Sequence, residues 1–350
     1  MFRQWEAAMD QLFSLMERFA PEALELVVVR YQILRQVFYQ QPVGRRQISK
    51  ALGFPERTVR GEIETLRARG ALYTTAAGIF LTPYGKSLLQ EIDQYIPFLY
   101  RTQTLAYEIK NMFRLNEVIV VPGDSYQNHL VKKDLGATAA RYLQRILKPN
   151  SILAVTGGTT LAEMAAAMDE GPVVENILVV PARGGLGEDM EQQAGAIAAR
   201  IAQNLGGQYR LLHIPDNLEE GTAEILRNDS HVTEIIHTIR SSHILIHGIG
   251  SALEMASRRK FTASEMKQLH DRGAVGEALR YYFDKEGKIV FEVAGFGLEK
   301  TDLAQIPEIV AVAGGSHKGE AIRAVLKGCR TTVLITDEGA ALEILNNNKQ

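Results

Sequence analysis

Apolar and polar positions follow two different rhythms along this chain, and the rhythm changes near Glu117. Before that point apolar side chains recur three or four residues apart, the period of an amphipathic helix. Residues 5–18 carry Trp5, Met9, Leu12, Phe13 and Met16 at this spacing, and 22–39 carry Leu24, Val27, Val28, Tyr31, Ile33, Leu34 and Phe38. Pro21 suits the first turn of the second helix and Pro42 ends it. Two short segments follow. Gln47–Leu52 turns Ile48, Ala51 and Leu52 inward and stops at Gly53; residues 55–70 form a second helix with Val59, Ile63 and Leu66 as its buried stripe. After Gly70, ALYTTAAGIFLTPYGKSLL predicts a strand, a small turn at Ala76–Gly78, a second strand and a helix from Thr82. Residues 84–114 continue as a helical stretch that Pro97 should kink or break.

From Glu117 on, apolar runs of five to seven residues alternate with helical patterns. The runs lie at 117–123, 151–158, 176–185, 209–215, 243–250, 308–315 and 331–336; helices are expected at 136–147, 160–168, 189–205, 254–260, 262–270 and 318–328. Strands that are apolar throughout and separated by amphipathic helices indicate a parallel sheet covered on both faces. The fold class is therefore α/β: an N-terminal winged helix-turn-helix over 1–90, a linker helix over 91–115, and a doubly wound, mostly parallel sheet over 116–350.

Two short helices about a glycine turn, the second followed by a hairpin, form the winged helix-turn-helix pattern, whose second helix enters the major groove. Arg57, Thr58 and Arg60 lie on the first turns of that helix, away from its apolar stripe. Charge agrees with this placement. The chain has a net charge of −2, yet residues 1–90 hold twelve Lys/Arg against eight Asp/Glu, and segment 41–70 holds seven against three. A small helical protein-interaction module is the alternative for this part.

The larger part ends several strands in glycine pairs or near-pairs: Gly157–Gly158, Gly184–Gly185, Gly248/Gly250 and Gly314–Gly315. Ligands of open α/β sheets bind outside the carboxyl ends of strands, and glycine lets backbone amides approach them. Gly157, Gly158, Thr159 and Thr160 follow a strand and open a helix, a combination suited to phosphate. Arg183, Arg258 and Lys318 stand at or just beyond three other strand exits, and would balance a ligand with several negative charges. Glu277 is a candidate acid or base, or an acceptor for sugar hydroxyls. Asp189 and Glu188 are candidate caps of the helix over 189–205. His213, His247 and His317 are scattered, and no HExxH, CxxC or GxSxG occurs. No catalytic constellation, metal site or cofactor is expected.

Hydrophobic residues are 46% of the chain and charged residues 23%, ordinary for a globular protein. No apolar run reaches the roughly 18 residues a membrane span needs. MFRQWEAAMD lacks the apolar stretch of a secretory signal. A single cysteine, Cys329, allows no intrachain disulfide and no cysteine cluster for zinc. A soluble cytoplasmic protein is expected.

Taken together, VTGGTT, VPARGGLGED, HGIG, GAVGEAL and VAGGSHKGEAI, with GRRQISKALGFPERTVRGEIETL near the start, resemble the SorC/DeoR-type sugar-binding transcriptional regulators. Within them the likeness is to those that govern central glycolytic genes in Gram-positive bacteria. The resemblance spans nearly the whole chain. It implies a Rossmann-like, phosphosugar-isomerase-like fold and a sugar-phosphate effector, with fructose 1,6-bisphosphate as inducer for the nearest relatives. It also implies operator DNA as partner, a homo-oligomer (dimer or tetramer), and an inducer that weakens cooperative assembly. The effector positions it implies are Gly157, Gly158, Thr159, Thr160, Arg183, Gly184, Gly185, Leu186, Gln193, Arg258, Glu277 and Lys318. Arg45 and Arg46 join Arg57, Thr58 and Arg60 as DNA-contact candidates. A repressor, not an enzyme, is the leading expectation. A phosphosugar isomerase or deaminase with Glu277 as proton shuttle is the alternative, and a constitutive DNA-binding or scaffolding protein a third.

Overall fold

The computed structural model describes residues 2–168, 174–185, 189–215, 221, 225–226 and 228–346. The chain divides into two units, Met1–Thr102 and Gln103–Gln350.

In the first unit α1 (Phe2–Phe19) and α2 (Pro21–Gln40) precede α3 (Arg45–Leu52) and α4 (Glu56–Ala68). Gln47 Oε1 accepts from the Gly44 amide at 2.8 Å and so closes the open end of α3. Gly53 ends it with φ 71°, a conformation that costs glycine little. Val59, Ile63 and Leu66 of α4 share one core with Ile33, Val37, Ile48 and Ile79. Next comes the antiparallel hairpin β1 (Leu72–Thr75) and β2 (Gly78–Leu81), paired from Leu72↔Leu81 to Thr75↔Gly78. The expected turn at Ala76–Gly78 is thus one residue shorter, because Gly78 pairs with Thr75 and belongs to β2. Thr82 caps α5 (Pro83–Asp93) by accepting from the Gly85 amide at 2.9 Å.

The helical stretch expected over 84–114 is three helices: α5, α6 (Ile96–Leu99) and α7 (Thr102–Phe113). Pro97 sits in the first turn of α6, where a missing N–H breaks no hydrogen bond; the chain leaves α5 just before it.

The second unit is built on seven parallel strands: β3 (Glu117–Val121), β4 (Ile152–Val155), β5 (Leu178–Pro181), β6 (Gln208–Tyr209), β7 (Ile244–Gly248), β12 (Glu308–Val312) and β13 (Val333–Asp337). Their order is β3-β13-β12-β7-β4-β5-β6, and every pairing is parallel. The connecting helices include α8 (His129–Ile146), α9 (Thr159–Ala167), α10 (Ala194–Asn204), α11 (Ser230–Arg240), α14 (Gly319–Gly328) and α15 (Glu338–Asn346). Neighbouring residues of one strand enter opposite cores. Ala154 and Leu245 pack on one side, Leu153, Val155, Ile244 and Ile246 on the other. Both faces are buried, which is why these strands read as continuous apolar runs.

After β4 the chain moves outward through β5 and β6; after β7 it moves the other way, through β12 and β13. β4 and β7 are adjacent, so a crevice opens where their carboxyl ends diverge, the switch point at which open α/β sheets bind ligands.

Between β7 and β12 lies a second sheet that the sequence pattern does not announce. It is antiparallel, of order β11-β10-β9-β8, from β8 (Gly250–Ser251), β9 (Ala274–Ala278), β10 (Tyr281–Asp284) and β11 (Ile289–Glu292). Helices α12 (Ala252–Arg258) and α13 (Ala263–Asp271) separate its first two strands. The β9–β10 hairpin turns through Leu279 and Arg280, without the Asn-Gly or Asp-Gly pair that marks such loops.

Two other expectations change. The run 209–215 forms a strand at Gln208–Tyr209 and, at its far end, only an isolated parallel bridge between Pro215 and Gly185. Between them Leu212 and Ile214 are buried in the core without a ladder, which produces the alternation of a strand. The helix expected over 189–205 is a 3₁₀ turn, Met190–Gln192, then an extended Gln193, then α10.

Candidate effector cleft and nucleic-acid interface

The crevice between the ends of β4 and β7 is a cleft open to solvent. Thr156 to Leu161 line it from the end of β4, Gly248 to Gly250 from the end of β7, and Val312 from β12. Arg183 and Gly184 reach it from β5, Gln192 to Ala194 from the break before α10, and Glu254, Met255 and Arg258 from α12. Glu277 and Leu279 come from the second sheet and Lys318 from the turn before α14.

Gly158 opens α9 with φ 128°, a conformation reserved for glycine. The first-turn amides of α9 lack carbonyls one turn back and point toward the cleft end of the helix, where an anion is favoured. Gly158 N itself donates to Gln192 O at 2.9 Å. A Cβ on Gly157 would stand 2.5 Å from that same oxygen, so this glycine is demanded by packing whatever the ligand. On the opposite wall Gly248 N donates to Thr156 Oγ1 at 3.1 Å, tying the β4 and β7 exits together.

Arg183 is buried. Its Nη1 donates to Leu279 O at 2.7 Å and lies 3.6 Å from Glu277 Oε1. Arg258 Nη2 donates to Gln192 Oε1 at 3.2 Å. Lys318 is held below its ordinary pKa by burial, with Glu254 acting in the opposite sense and Lys132 and Arg258 adding to the depression. Burial pushes the Glu277 carboxyl up, opposed first by Arg183. Arg259 Nη2 donates to Glu277 Oε1 at 2.9 Å. Burial likewise depresses His247, whose Nδ1 lies 3.1 Å from Gly248 O, and His317, beside Lys318. Three cations thus face one hollow with two carboxylates, Glu254 and Glu277, a lining suited to an anion that also bears hydroxyl groups.

Of the positions singled out in the sequence, Gly157, Gly158, Thr159, Thr160, Arg183, Gly184, Gln193, Arg258, Glu277 and Lys318 line this one cleft. Gly185 sits beside it, with its missing Cβ 3.2 Å from Gln193 Oε1. Leu186 and Glu188 lie outside the described residues. Asp189 accepts from the Glu191 amide at 3.2 Å and caps the 3₁₀ turn, not a long helix. Sequence reasoning missed Thr156, Gln192, Glu254 and Arg259. The SRRK run offers two adjacent arginines and no way to know that one lines the cleft while the other is buried behind it. Among the described residues no group of three or more His, Cys, Asp or Glu is placed to hold a metal ion.

The first unit presents a second face. Arg45 and Arg46 open α3; Arg57, Thr58 and Arg60 lie on the first turns of α4, and all five are exposed. Val59 between them is fully buried, so packing in the core sets which way the helix presents its arginines. Arg60 Nε pairs with Glu64 Oε1 at 3.2 Å, and Arg46 Nε stands 3.8 Å from Glu56 Oε1. Both are exposed ion pairs that a phosphate could replace at little cost. Tyr73 and Phe80 stack at 5.2 Å across the wing hairpin and stiffen it.

Residues 99–346 match the family model described as "Putative sugar-binding domain", and residues 26–96 match the CggR N-terminal DNA binding domain. The chain is 38% identical to the Central glycolytic genes regulator of Bacillus subtilis (strain 168), over 97% of this chain and 100% of the relative. A crystal structure described as a "putative SorC family transcriptional regulator", from Enterococcus faecalis, is 40% identical and superposes with a TM-score of 0.64, covering 69% of this chain and 99% of that one. The chain belongs to the SorC-type sugar-binding transcriptional regulators.

Membership of the SorC-type regulators joins the two faces in one molecule: a DNA-binding unit and a sugar-binding unit. The full-length sorbitol operon regulator SorC of Klebsiella pneumoniae, 19% identical, shares the fold with a TM-score of 0.66 over 88% of this chain and 96% of its own. No described helix is long and apolar enough to cross a membrane.

Proposed function

We propose that this SorC-type regulator is a cytoplasmic repressor of central glycolytic genes whose hold on its operator is weakened by a phosphorylated sugar, with fructose 1,6-bisphosphate as inducer. The observation that carries the reading is the meeting of Arg183, Arg258 and Lys318 with the Thr159 helix start in one cleft. A sugar with a phosphate at each end suits a hollow whose cations come from separate strand exits and whose carboxylates can accept hydroxyl hydrogen bonds. The name of the Bacillus subtilis relative supplies the gene class.

Arg57, Thr58 and Arg60 are the residues for the major groove, with Arg45 and Arg46 placed for phosphates. A homo-oligomer, dimer or tetramer, fits a reader of paired half-sites. The linkage is one of populations. The inducer must bind the arrangement that cannot engage DNA more tightly than the one that can. Operator binding titrated against fructose 1,6-bisphosphate tests this; unchanged affinity and stoichiometry at millimolar ligand would end the reading.

For the isomerase or deaminase alternative Glu277 would have to shuttle protons. An oxygen that accepts from Arg259 and sits near Arg183 is suited to holding charge in place, not to exchanging a proton with substrate. Turnover of hexose phosphates, lost in Glu277→Gln, would restore that alternative.

A further inference from the structure

Arg259 does not line the cleft, and its side chain is fully buried. It nevertheless bonds to two residues that do line it, Glu277 and Leu279, and to Tyr282 beside them in the second sheet. Nη2 donates to Glu277 Oε1 at 2.9 Å and to Leu279 O at 3.3 Å, and Nη1 donates to Tyr282 OH at 3.0 Å. Leu279 O is also the acceptor for Arg183 Nη1 at 2.7 Å. One carbonyl therefore ties together an arginine that lines the cleft and one that does not. Leu279 holds φ 63° to offer it, a conformation that a leucine keeps only where its surroundings impose it.

The charges are arranged in series. Glu277 is buried and must be balanced by a cation. Arg259 makes the shorter pair from behind, at 2.9 Å, while Arg183 Nη1 makes a looser one, 3.6 Å from the same oxygen, and also bonds to the Leu279 carbonyl. Two guanidiniums around one carboxylate leave a surplus of positive charge beside the cleft. Take Arg259 away, and Glu277 becomes a buried carboxylate whose nearest cation is Arg183.

We infer that Arg259 is a positioning residue for the effector site: by holding Glu277 Oε1 and the Leu279 carbonyl, it keeps Glu277 from drawing Arg183 closer and away from the anionic ligand. The inference rests on the reading of the cleft as a sugar-phosphate site.

The test is a double-mutant cycle on the full chain, with fructose 1,6-bisphosphate as probe in titration calorimetry. Arg259→Met should raise Kd about tenfold or more, because Glu277 then draws Arg183 into a tighter ion pair than the present one at 3.6 Å. In a Glu277→Gln background the same change should alter Kd by less than about twofold, because no carboxylate remains to capture Arg183. Equal losses in both backgrounds overturn the inference, since a plain packing defect would persist without the carboxylate. Circular dichroism and melting check the fold. Arg259→Gln, which keeps an amide donor, repeats the cycle if the methionine variant does not fold. If the unaltered protein binds none of a panel of mono- and bisphosphorylated sugars, the effector reading falls and takes this inference with it; binding with equal losses removes only the inference.

Discussion

Arg258 Nη2 donates to Gln192 Oε1 at 3.2 Å, and the backbone oxygen of the same glutamine accepts from Gly158 N at 2.9 Å. Its Nε2 donates to Asp189 Oδ2 at 3.0 Å. Gln192 thus ties an arginine of α12 to the loop that opens α9, and the break before α10 exists where this link is made. Residue 192 is the joint between a cation and an amide cradle that the proposed ligand would engage together.

Gln192→Ala should therefore weaken sugar-phosphate binding with the fold intact. The lost bond involves a charged group in a partly exposed site, worth about 1 kcal/mol, or roughly fivefold in Kd. Calorimetry on the variant checks it, and an unchanged Kd would show that Arg258 needs no tether.

Lys318 makes a prediction of opposite sign for stability and for binding. Burial lowers its pKa, so the folded state disfavours the charged amine. With the folded pKa below the unfolded value, the penalty is fully present at pH below the folded pKa and is relieved as pH rises through it toward the unfolded value. Lys318→Met removes the penalty together with the proposed ligand contact. At pH 7 the ligand-free variant should melt higher than the parent, while its melting temperature no longer rises with fructose 1,6-bisphosphate. A variant that melts lower yet still responds to ligand would contradict both halves.

The parallel sheet was legible because both its faces are buried: Leu153, Ala154 and Val155 are all apolar, though they point alternately into two cores. The cleft was legible for a related reason, since glycine and cation repeatedly follow a strand. What stayed hidden depends on partners distant in sequence. Leu279 turns a hairpin with none of the usual turn residues. Leu212 and Ile214 alternate like a strand, yet beyond Tyr209 the run keeps only a single bridge, Gly185 to Pro215, with Gly185 N donating to Ile214 O at 3.0 Å. Arg259 and Arg258 are adjacent in the chain, and only the packing of α12 against the second sheet separates their roles. The division of 189–205 at Gln193 likewise answers to the α9 loop, not to any local signal.

Asp124 offers a pH-dependent test of the neighbouring loop. Burial acts to raise its pKa, but hydrogen bonds from Ser316 Oγ at 2.7 Å, Tyr126 N at 2.9 Å and Ser316 N at 3.0 Å outweigh it and lower the value. A carboxylate with a depressed folded pKa contributes stability that is present above the unfolded pKa and lost as pH falls through the folded one. Asp124→Asn should cost about 1–2 kcal/mol at pH 7, and the gap to the parent should narrow once pH falls below the ordinary aspartate range. Urea unfolding of both proteins at pH 7 and near pH 3 measures it; a gap that is independent of pH would remove the carboxylate's charge from the explanation.

For the DNA-binding unit the discriminating quantity is salt dependence, not affinity alone. Arg57 and Arg60 project from α4 while Val59, Ile63 and Leu66 hold the helix to the core, so alanine at either arginine should leave the unit folded. A lost bidentate contact to a guanine edge would cost about 1–3 kcal/mol and relax preference at one base pair. A lost phosphate contact would weaken all sequences alike and reduce the slope of log K against log salt by about 1. Helix N-terminal placement favours the base-edge outcome for Arg57 and Arg60, and the phosphate outcome for Arg45 and Arg46 at the start of α3. Binding of operator and of scrambled duplex at several salt concentrations separates the two. If all four variants behave like the parent on both duplexes, α3 and α4 are not the DNA-reading face, and the exposed arginines serve only to solvate it.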